Sequence, residues 1–335
     1  MQMKLKLKIC AAVLATTMVS SVNAGVVTEW SYSNQAGFAA WTGESTPTYA
    51  TDEVSASGNS ATGGNDPLAN NAGNILDTNL DGVVDANDLA LNTSLTWGVP
   101  ANVSSDPRSS LDITSPVNGA MSTNDWNWSN GTDIVHENWV IVGDSLETAT
   151  VFDGLSLMPT AWDAFGDNPA DLLASAPYFA PQLQFGINFF ETPNGADQNG
   201  FCPDGNLHGQ GDNINGCGDI FEITGLELLP LVPVVGPDFL EFTVPFVLTD
   251  ALGVPVPGWG DTTYLVTTRL SGLTTLDDGY QCSNNQPTCF GFVTVEKSQN
   301  VLSAQFKVRT VPEPSTLAIF GLGIIGFGLS RRKKA

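Results

Sequence analysis

Oxygen-bearing residues recur at short, regular intervals between positions 77 and 88. In a tight twelve-residue loop, six of these positions would direct an oxygen to one centre, Val83 through its carbonyl: Asp77, Asn79, Asp81, Val83, Asp85 and Asp88. Gly82 permits the sharp turn, and Ca²⁺ takes about six to eight oxygen ligands. The spacing therefore predicts a Ca²⁺ site whose ion orders a loop that could not pack itself. The alternative is an acidic surface loop that holds no ion.

The predicted loop lies in a segment, residues 43–93, that is rich in Ser, Thr, Gly, Asn and Ala. Such a composition forms a core poorly and predicts a long loop or an insertion. The pattern of residues 77–88 is that of an EF-hand loop, and Asp88 followed by Leu89 and Leu91 resembles a single dockerin repeat. Dockerins carry two such repeats and this sequence has one, so the resemblance does not extend to cohesin binding.

Four cysteines follow residue 24, and their even number in an exported chain favours disulfides over free thiols. Three pairings are possible, and the clustering favours Cys202 with Cys217 and Cys282 with Cys289. A zinc site is the competing interpretation. The absence of a Cys-x-x-Cys spacing and the presence of only two histidines disfavour zinc.

The sequence gives little support for a catalytic site. His136 and Asn138 stand two apart, so in a strand they face the same side and could converge on one ligand; a structural, hydrogen-bonded pair is favoured. Glu191, Asp219 and Glu222 could supply the two carboxylates of a glycoside hydrolase. Because the body carries 34 carboxylates, such a grouping is uninformative. We therefore expect a non-catalytic protein, with a secreted hydrolase as the least favoured reading.

Aromatic residues suggest a second possibility, a glycan-binding module. Trp126 and Trp128 have strand spacing and would share a face, where they could stack on sugar rings, and Trp139 is a further candidate. Packing in the core is favoured for most of the eight tryptophans because each buries a large area.

Alternating apolar residues predict a β-rich body. Residues 183–189 and 240–248 alternate with a period of two, and Pro245 indicates an edge or a bulge in the second strand. Further strands are predicted at 264–270 and 304–308, with shorter ones at 150–158 and 219–228. Many short strands separated by Gly, Pro, Asn and Asp turns predict an all-β fold, an antiparallel β-sandwich or jelly roll with disulfide-stapled loops.

The N-terminus has the three parts of a secretory signal. Lys4, Lys6 and Lys8 precede an apolar stretch at 9–19, and small residues lead up to Gly25. We predict a signal helix in residues 1–24, cleaved by signal peptidase. The body, residues 25–311, holds all 35 acidic residues except Glu313. It holds only five basic residues, so its net charge is −29. This charge excludes nucleic acid as a partner.

The C-terminus, residues 312–335, also has three parts, with the basic residues after the apolar run. Pro312, Glu313 and Pro314 precede an apolar run at 317–329 and a basic end at 331–334. The order resembles the tripartite PEP-CTERM signal. The resemblance implies exosortase cleavage near residues 312–314 after a transient stay in the inner membrane of a Gram-negative bacterium. It then implies transfer to the cell surface, outer envelope or extracellular matrix, with exopolysaccharide as a partner. A plain tail anchor is the alternative, disfavoured because the run is short against the ~20 residues of a spanning helix.

Four patches of the body resemble the THxN family of PEP-CTERM proteins. They are Ser94–Gly98 with Ser109–Leu111, Ile134–Ile141, Phe189–Asn194 and Gly216–Phe221. The second patch holds His136 and Asn138 in the name-giving motif, with Val135 where threonine is usual. The resemblance implies a surface location and no established activity.

Overall fold

A computed structural model describes residues 25–43, 53–61, 75–101 without 82 and 86, 106–163, 170, 172, 177–225, 233–276 without 251, 280, 282–283 and 289–311. The predicted signal helix in residues 1–24 lies outside the described residues. So do the sorting residues Pro312, Glu313 and Pro314, the apolar run after them and Gly82 of the predicted calcium loop. None of the helices in the described part of the chain has the length and apolarity to cross a membrane.

The described residues form eighteen strands and one 3₁₀ turn, Gly211–Asn213, which confirms the all-β prediction. The strands are β1 Val27–Gly43, β2 Ser55–Ser57, β3 Ser94–Trp97, β4 Val99–Pro100, β5 Ser109–Ile113, β6 Val117–Ser122, β7 Ser129–Asn138, β8 Ile141–Val142, β9 Leu146–Trp162, β10 Tyr178–Phe179, β11 Leu183–Phe190, β12 Asp219–Thr224, β13 Val234–Val235, β14 Phe239–Phe246, β15 Tyr264–Ser271, β16 Thr274–Leu276, β17 Cys289–Thr294 and β18 Ser298–Thr310.

Two eight-stranded antiparallel sheets share one core. The first has the order β16-β17-β12-β11-β9-β1-β6, with β10 also pairing with β9, and the second has the order β13-β14-β15-β18-β7-β5-β3-β2. Trp30 of the first sheet packs edge-on against Tyr264 of the second, with ring centroids 5.1 Å apart. β18 lies between β15 and β7 and runs unbroken to Thr310. The jelly-roll connectivity stays a prediction.

Strands in which apolar and polar residues alternate lie where the sequence predicts them. β11 buries Leu183, Phe185, Ile187 and Phe189, because a period of two puts these side chains on the face that meets the core. Pro245 pairs with Leu265 of β15 on one side. On its other side β14 is covered by β13 only at Leu240 and Glu241. The proline therefore stands where the strand edge is open in the described residues.

β1 is a 17-residue strand that alternation does not reveal. Its middle, from Tyr32 to Phe38, is buried without interruption. One face meets the core, and the other is covered by the segment predicted to be an insertion. The Ile75 N–H donates to Gln35 Oε1 at 2.9 Å, and Ile75 and Leu76 are buried. Within residues 43–93, Ile75 and Leu76 therefore pack against the sheet.

Both favoured disulfides are present. Cys202–Cys217 closes the connection between β11 and β12, and Cys282–Cys289 closes the loop that leads into β17. The second bond lies in a small satellite cluster with Ile220 and Leu276 on the outer face of the first sheet.

Candidate functional site

The candidate site is centred on β7, where His136 and Asn138 are both fully buried. Alternation along β7 points both side chains into the space between the two sheets. Each neighbour of β7 pairs with it in antiparallel register, β18 on one side and β5 on the other. The strand is thus held centrally in its sheet, and the two side chains have fixed positions.

His136 packs as an aromatic ring. It stacks on Trp97 at 5.7 Å with an interplanar angle of 11° and meets Phe189 and Phe221 edge-on at 5.8 and 4.7 Å. Neither ring nitrogen has a hydrogen-bond partner among the described residues. Burial lowers the pKa of His136 to about 3, so the ring is neutral in the native protein.

Asn138 is the member of the pair that forms hydrogen bonds. Its Nδ2 donates to the carbonyl and to Oγ1 of Thr294, each at 3.2 Å. Thr294 Oγ1 donates to the carbonyl of Asp219 at 3.2 Å, and Asp219 Oδ1 accepts the Thr192 N–H at 2.9 Å. Thr192 Oγ1 in turn donates to the carbonyl of Cys217 at 2.8 Å. This chain links the second sheet to the strands of the first sheet and to the first disulfide.

The four sequence patches meet at this place. Trp97 comes from the first patch, His136 from the second, Phe189 from the third and Phe221 from the fourth. The first two belong to the second sheet, and the last two belong to the first sheet. The residues that resemble a family in sequence are thus the junction between the two sheets. The main role of this junction is to pack the two sheets against each other.

Three carboxylates lie beside this junction. Ligand oxygens of Glu191, Asp219 and Glu296 lie within 4.8 Å of one another, and Asp219 and Glu296 are fully buried. Burial raises the pKa of Asp219 well above its usual range, although the Thr192 N–H lowers it, and the Glu296 charge raises it further. Burial also raises the pKa of Glu296 to about 7, against the lowering effect of Lys297. Sequence reasoning missed Glu296, which stands in the turn between β17 and β18 without a motif around it.

Glu222 lies elsewhere, because it is three residues from Asp219 and successive side chains in a strand alternate in face. Its carboxylate accepts hydrogen bonds from the N–H and Oγ of Ser283 and from Tyr280 Oη. It also approaches Cys282 and Cys289, but their sulfurs are bonded to each other and offer no thiolate. The structure therefore does not bring Asp219 and Glu222 together as an acid and base pair.

The predicted calcium loop closes on itself through Asp88, which is buried. Asp88 Oδ1 accepts the N–H groups of Thr78 and Asn79, and Oδ2 accepts the Asp85 N–H. The Asp81 N–H donates to both Asp77 Oδ1 and Asn79 Oδ1. Val83 donates its N–H to Asp81 Oδ1. In this arrangement Asp77, Asp81 and Asp88 do not form a group with all ligand oxygens within 4.8 Å.

The tryptophans divide by position. Trp30, Trp97 and Trp259 are buried in the core. Trp126 is 82% exposed, and Trp128 is half-buried with the Arg269 guanidinium 4.2 Å and the Lys307 ammonium 3.8 Å from its ring centroid. Trp128 lines a groove of about 500 Å³, together with polar residues that include Asp125, Asn127, Asn130 and Lys307.

Comparison with known proteins identifies one feature of the chain. A family model described as a PEP-CTERM protein-sorting motif matches residues 310–333, which contain Pro312, Glu313 and Pro314. A search of curated proteins gives no match. The chain therefore carries a PEP-CTERM sorting motif, which implies export, transit through the membrane and processing by an exosortase on the way to a secreted or surface location.

Proposed function

We propose that this chain is a non-catalytic member of the THxN family that associates with the extracellular polysaccharide matrix. The observation that carries the proposal is the groove beside Trp128, an aromatic surface set among hydrogen-bonding side chains. The sorting motif supports it, because it implies a secreted or surface location, where an extracellular polysaccharide would be within reach.

The groove offers what a sugar chain needs. Apolar faces of sugar rings pack on aromatic rings, and their hydroxyls bond to amides and carboxylates such as those of Asp125, Asn127 and Asn130. The Arg269 and Lys307 cations lie over the Trp128 ring and hold it in place, so a sugar would contact the part of the ring that lines the groove, and little side-chain freedom is lost when it binds. Trp126, two residues earlier, is exposed but does not line the groove, and both tryptophans precede β7, so the predicted strand spacing does not apply to them. A ligand that extends beyond the groove could still reach the Trp126 ring.

The charge of the body restricts the polysaccharide. A net charge of −29 over residues 25–311 repels strongly anionic polymers at low salt, and Arg269 and Lys307 offset this only locally. A neutral polysaccharide is therefore the expected ligand. The separation of Asp219 from Glu222 on opposite faces of β12 supports binding without hydrolysis.

The test is affinity electrophoresis of the full chain in gels that contain neutral or anionic polysaccharides. We expect the wild-type chain to be retarded in a neutral gel and Trp126→Ala or Trp128→Ala to weaken binding by about tenfold, the loss typical of an aromatic anchor. Phe190→Ala is the matched control, since Phe190 is 47% exposed and outside the groove. A wild-type chain that no polysaccharide retards would contradict the proposal.

A Ca²⁺ ion bound by residues 77–88 belongs to the same proposal. The ligand spacing supports it, as does Asp88, which already draws the two ends of the loop together. Such an ion is structural, because it orders a surface loop and not a reacting group; Ile75 and Leu76, which precede the loop, lie beside β1 and β9.

A further inference from the structure

We propose that Glu191, Asp219 and Glu296 form a second cation site, buried at the junction of the two sheets, with Ca²⁺ as its ion. This site shares no residue with the loop at 77–88 and does not depend on the polysaccharide groove.

Three separate segments build the site. Glu191 directly follows β11, Asp219 is the first residue of β12, and Glu296 stands in the turn between β17 and β18. Antiparallel pairing places Asp219 opposite Thr294, so the turn with Glu296 comes to the same end of the sheet. The ligand oxygens then lie within 4.8 Å of one another, a spacing that one ion can bridge.

Three buried oxygens at this site accept no hydrogen bond from the described residues: Asp219 Oδ2 and both carboxylate oxygens of Glu296. The ion pair found in the described part of the chain joins Arg269 to Glu241, so no lysine or arginine there forms an ion pair with Asp219 or Glu296. The Lys297 charge acts on Glu296 from farther away and only partly offsets the effect of burial. A buried carboxylate that lacks both a donor and a counter-ion is costly. A bound cation removes that cost.

The chemistry of the donors favours calcium. All three ligands are carboxylate oxygens, which suit hard cations, and they stand on the ends of strands and a turn rather than in a rigid octahedral cage. Magnesium demands stricter geometry and keeps its water, and zinc prefers nitrogen or sulfur. A shared proton would also relieve the repulsion between the carboxylates, and the experiment separates that outcome from metal binding.

The site also explains how the first disulfide loop is held. Asn215 Nδ2 donates to the carbonyl of Glu296 at 3.1 Å. Gly216, next to Cys217, has a φ of 148°, and a side chain there would come within 3.2 Å of Glu296 Cγ. An ion on Glu191, Asp219 and Glu296 would therefore fasten the loop to the ends of β11 and β12, which flank it, and to the turn before β18.

The first experiment is a calorimetric calcium titration of the full chain. It uses a double variant, Asp77→Ala with Asp81→Ala, to remove calcium binding by the surface loop at 77–88. We expect this double variant still to bind one equivalent of Ca²⁺. Adding Glu296→Gln should weaken that binding by at least about tenfold, since a charged ligand is replaced by a neutral one of the same shape. Glu137→Gln is the matched control, because Glu137 lies on β7 and its carboxylate faces Gln299 outside the core.

Either of two results overturns the proposal: no heat from the double variant at millimolar calcium, or equal affinity with and without Glu296→Gln. A third result also overturns the proposal: the wild-type chain does not bind calcium, and Glu296→Gln raises the melting temperature. That result would mean that the carboxylates of the cluster share a proton.

Hydrogen exchange on the wild-type chain keeps the test independent of how the variants fold. Removing calcium with EDTA should speed exchange of the Thr192 amide, which is bonded to Asp219 Oδ1, and of the neighbouring amides through residue 219. Magnesium added in place of calcium should restore less protection. Exchange in this segment that is the same with and without EDTA overturns the proposal.

Discussion

The surface loop at 77–88 and the carboxylate cluster at 191, 219 and 296 are both acidic, but they differ in how their oxygens are satisfied. In the loop, the carboxylates of Asp81 and Asp88 accept N–H groups from the loop itself. In the cluster, Asp219 Oδ2 and the Glu296 oxygens accept none from the described residues. The loop therefore satisfies part of its own carboxylate oxygens, whereas three buried oxygens of the cluster accept no hydrogen bond from the described residues.

The two regions also differ in their surroundings. Leu80 and Leu89 of the loop are exposed, whereas the cluster adjoins the aromatic junction of Trp97, His136, Phe189 and Phe221. The region with the recognisable sequence motif is thus the less buried of the two. The readable motif lies at the surface, and the buried group shows no motif.

The largest expected effect is a change in packing. Phe221→Ala removes a fully buried ring that stacks on Phe292 at 4.6 Å and meets His136 at 4.7 Å. We expect it to lower the free energy of unfolding by about 3–5 kcal/mol. Leu80→Ala in the loop, where the side chain is 59% exposed, should change it by less than about 0.5 kcal/mol. Denaturant unfolding measures both, and equal losses would remove the contrast between the two regions.

The next effect is a pH dependence that arises at the junction. The folded-state pKa of His136 is about 3, below its ordinary 6.5, so the unfolded chain binds the extra proton between these values. Stability from this residue is complete above about pH 6.5 and falls as the pH drops toward 3, by about 1.4 kcal/mol per pH unit. His136→Phe should remove that slope from the difference between variant and wild type.

Unfolding free energies measured from pH 7 to pH 4 give this slope directly. His208→Phe is the matched control, a histidine replacement in an exposed loop. If wild type and His136→Phe lose stability in parallel over this range, the junction does not hold a neutral imidazole.

The smallest expected effect belongs to the surface loop. A site with an affinity of about 0.1–1 mM, typical of extracellular modules, stabilises a protein by about 1–2 kcal/mol at 5 mM Ca²⁺. Asp77→Ala or Asp81→Ala should remove this share of the calcium-induced rise in melting temperature. Asp261→Ala, an exposed aspartate outside the loop, is the control. A rise that is the same in all three variants would leave residues 77–88 without a calcium role.

How far the sequence predicts the fold depends on whether one face or both faces of a strand are buried. β11 was predictable because Leu183, Phe185, Ile187 and Phe189 alternate with residues outside the core. The middle of β1 was not, because Ser33, Asn34 and Gln35 are buried polar residues and interrupt the apolar pattern. Gln35 is satisfied by Ile75, a contact 40 positions along the chain that periodicity cannot show.

The same limit applies to the sites. A ligand set within twelve consecutive residues can be read directly, and so can cysteine pairs separated by 15 and 7 positions. The sequence patches around Trp97, His136, Phe189 and Phe221 were recognisable, but their meeting in one aromatic junction depends on the pairing of two sheets. Glu296 joins Glu191 and Asp219 only through the β12–β17 register, for which no local residue pattern exists.

The position of β18 has a mechanical consequence. The strand is hydrogen-bonded on both sides, and the Val311 N–H still donates to the carbonyl of Thr263 one residue before the sorting residues begin. Tension applied through the C-terminal tail is therefore transmitted along the axis of a central strand. Its bonds to β15, over residues 303–310, and to β7, over residues 298–306, then resist the pull in shear, whereas an edge strand would be held by bonds on one side alone. While the tail is held, the load enters the sheet through a strand that lies between two neighbours.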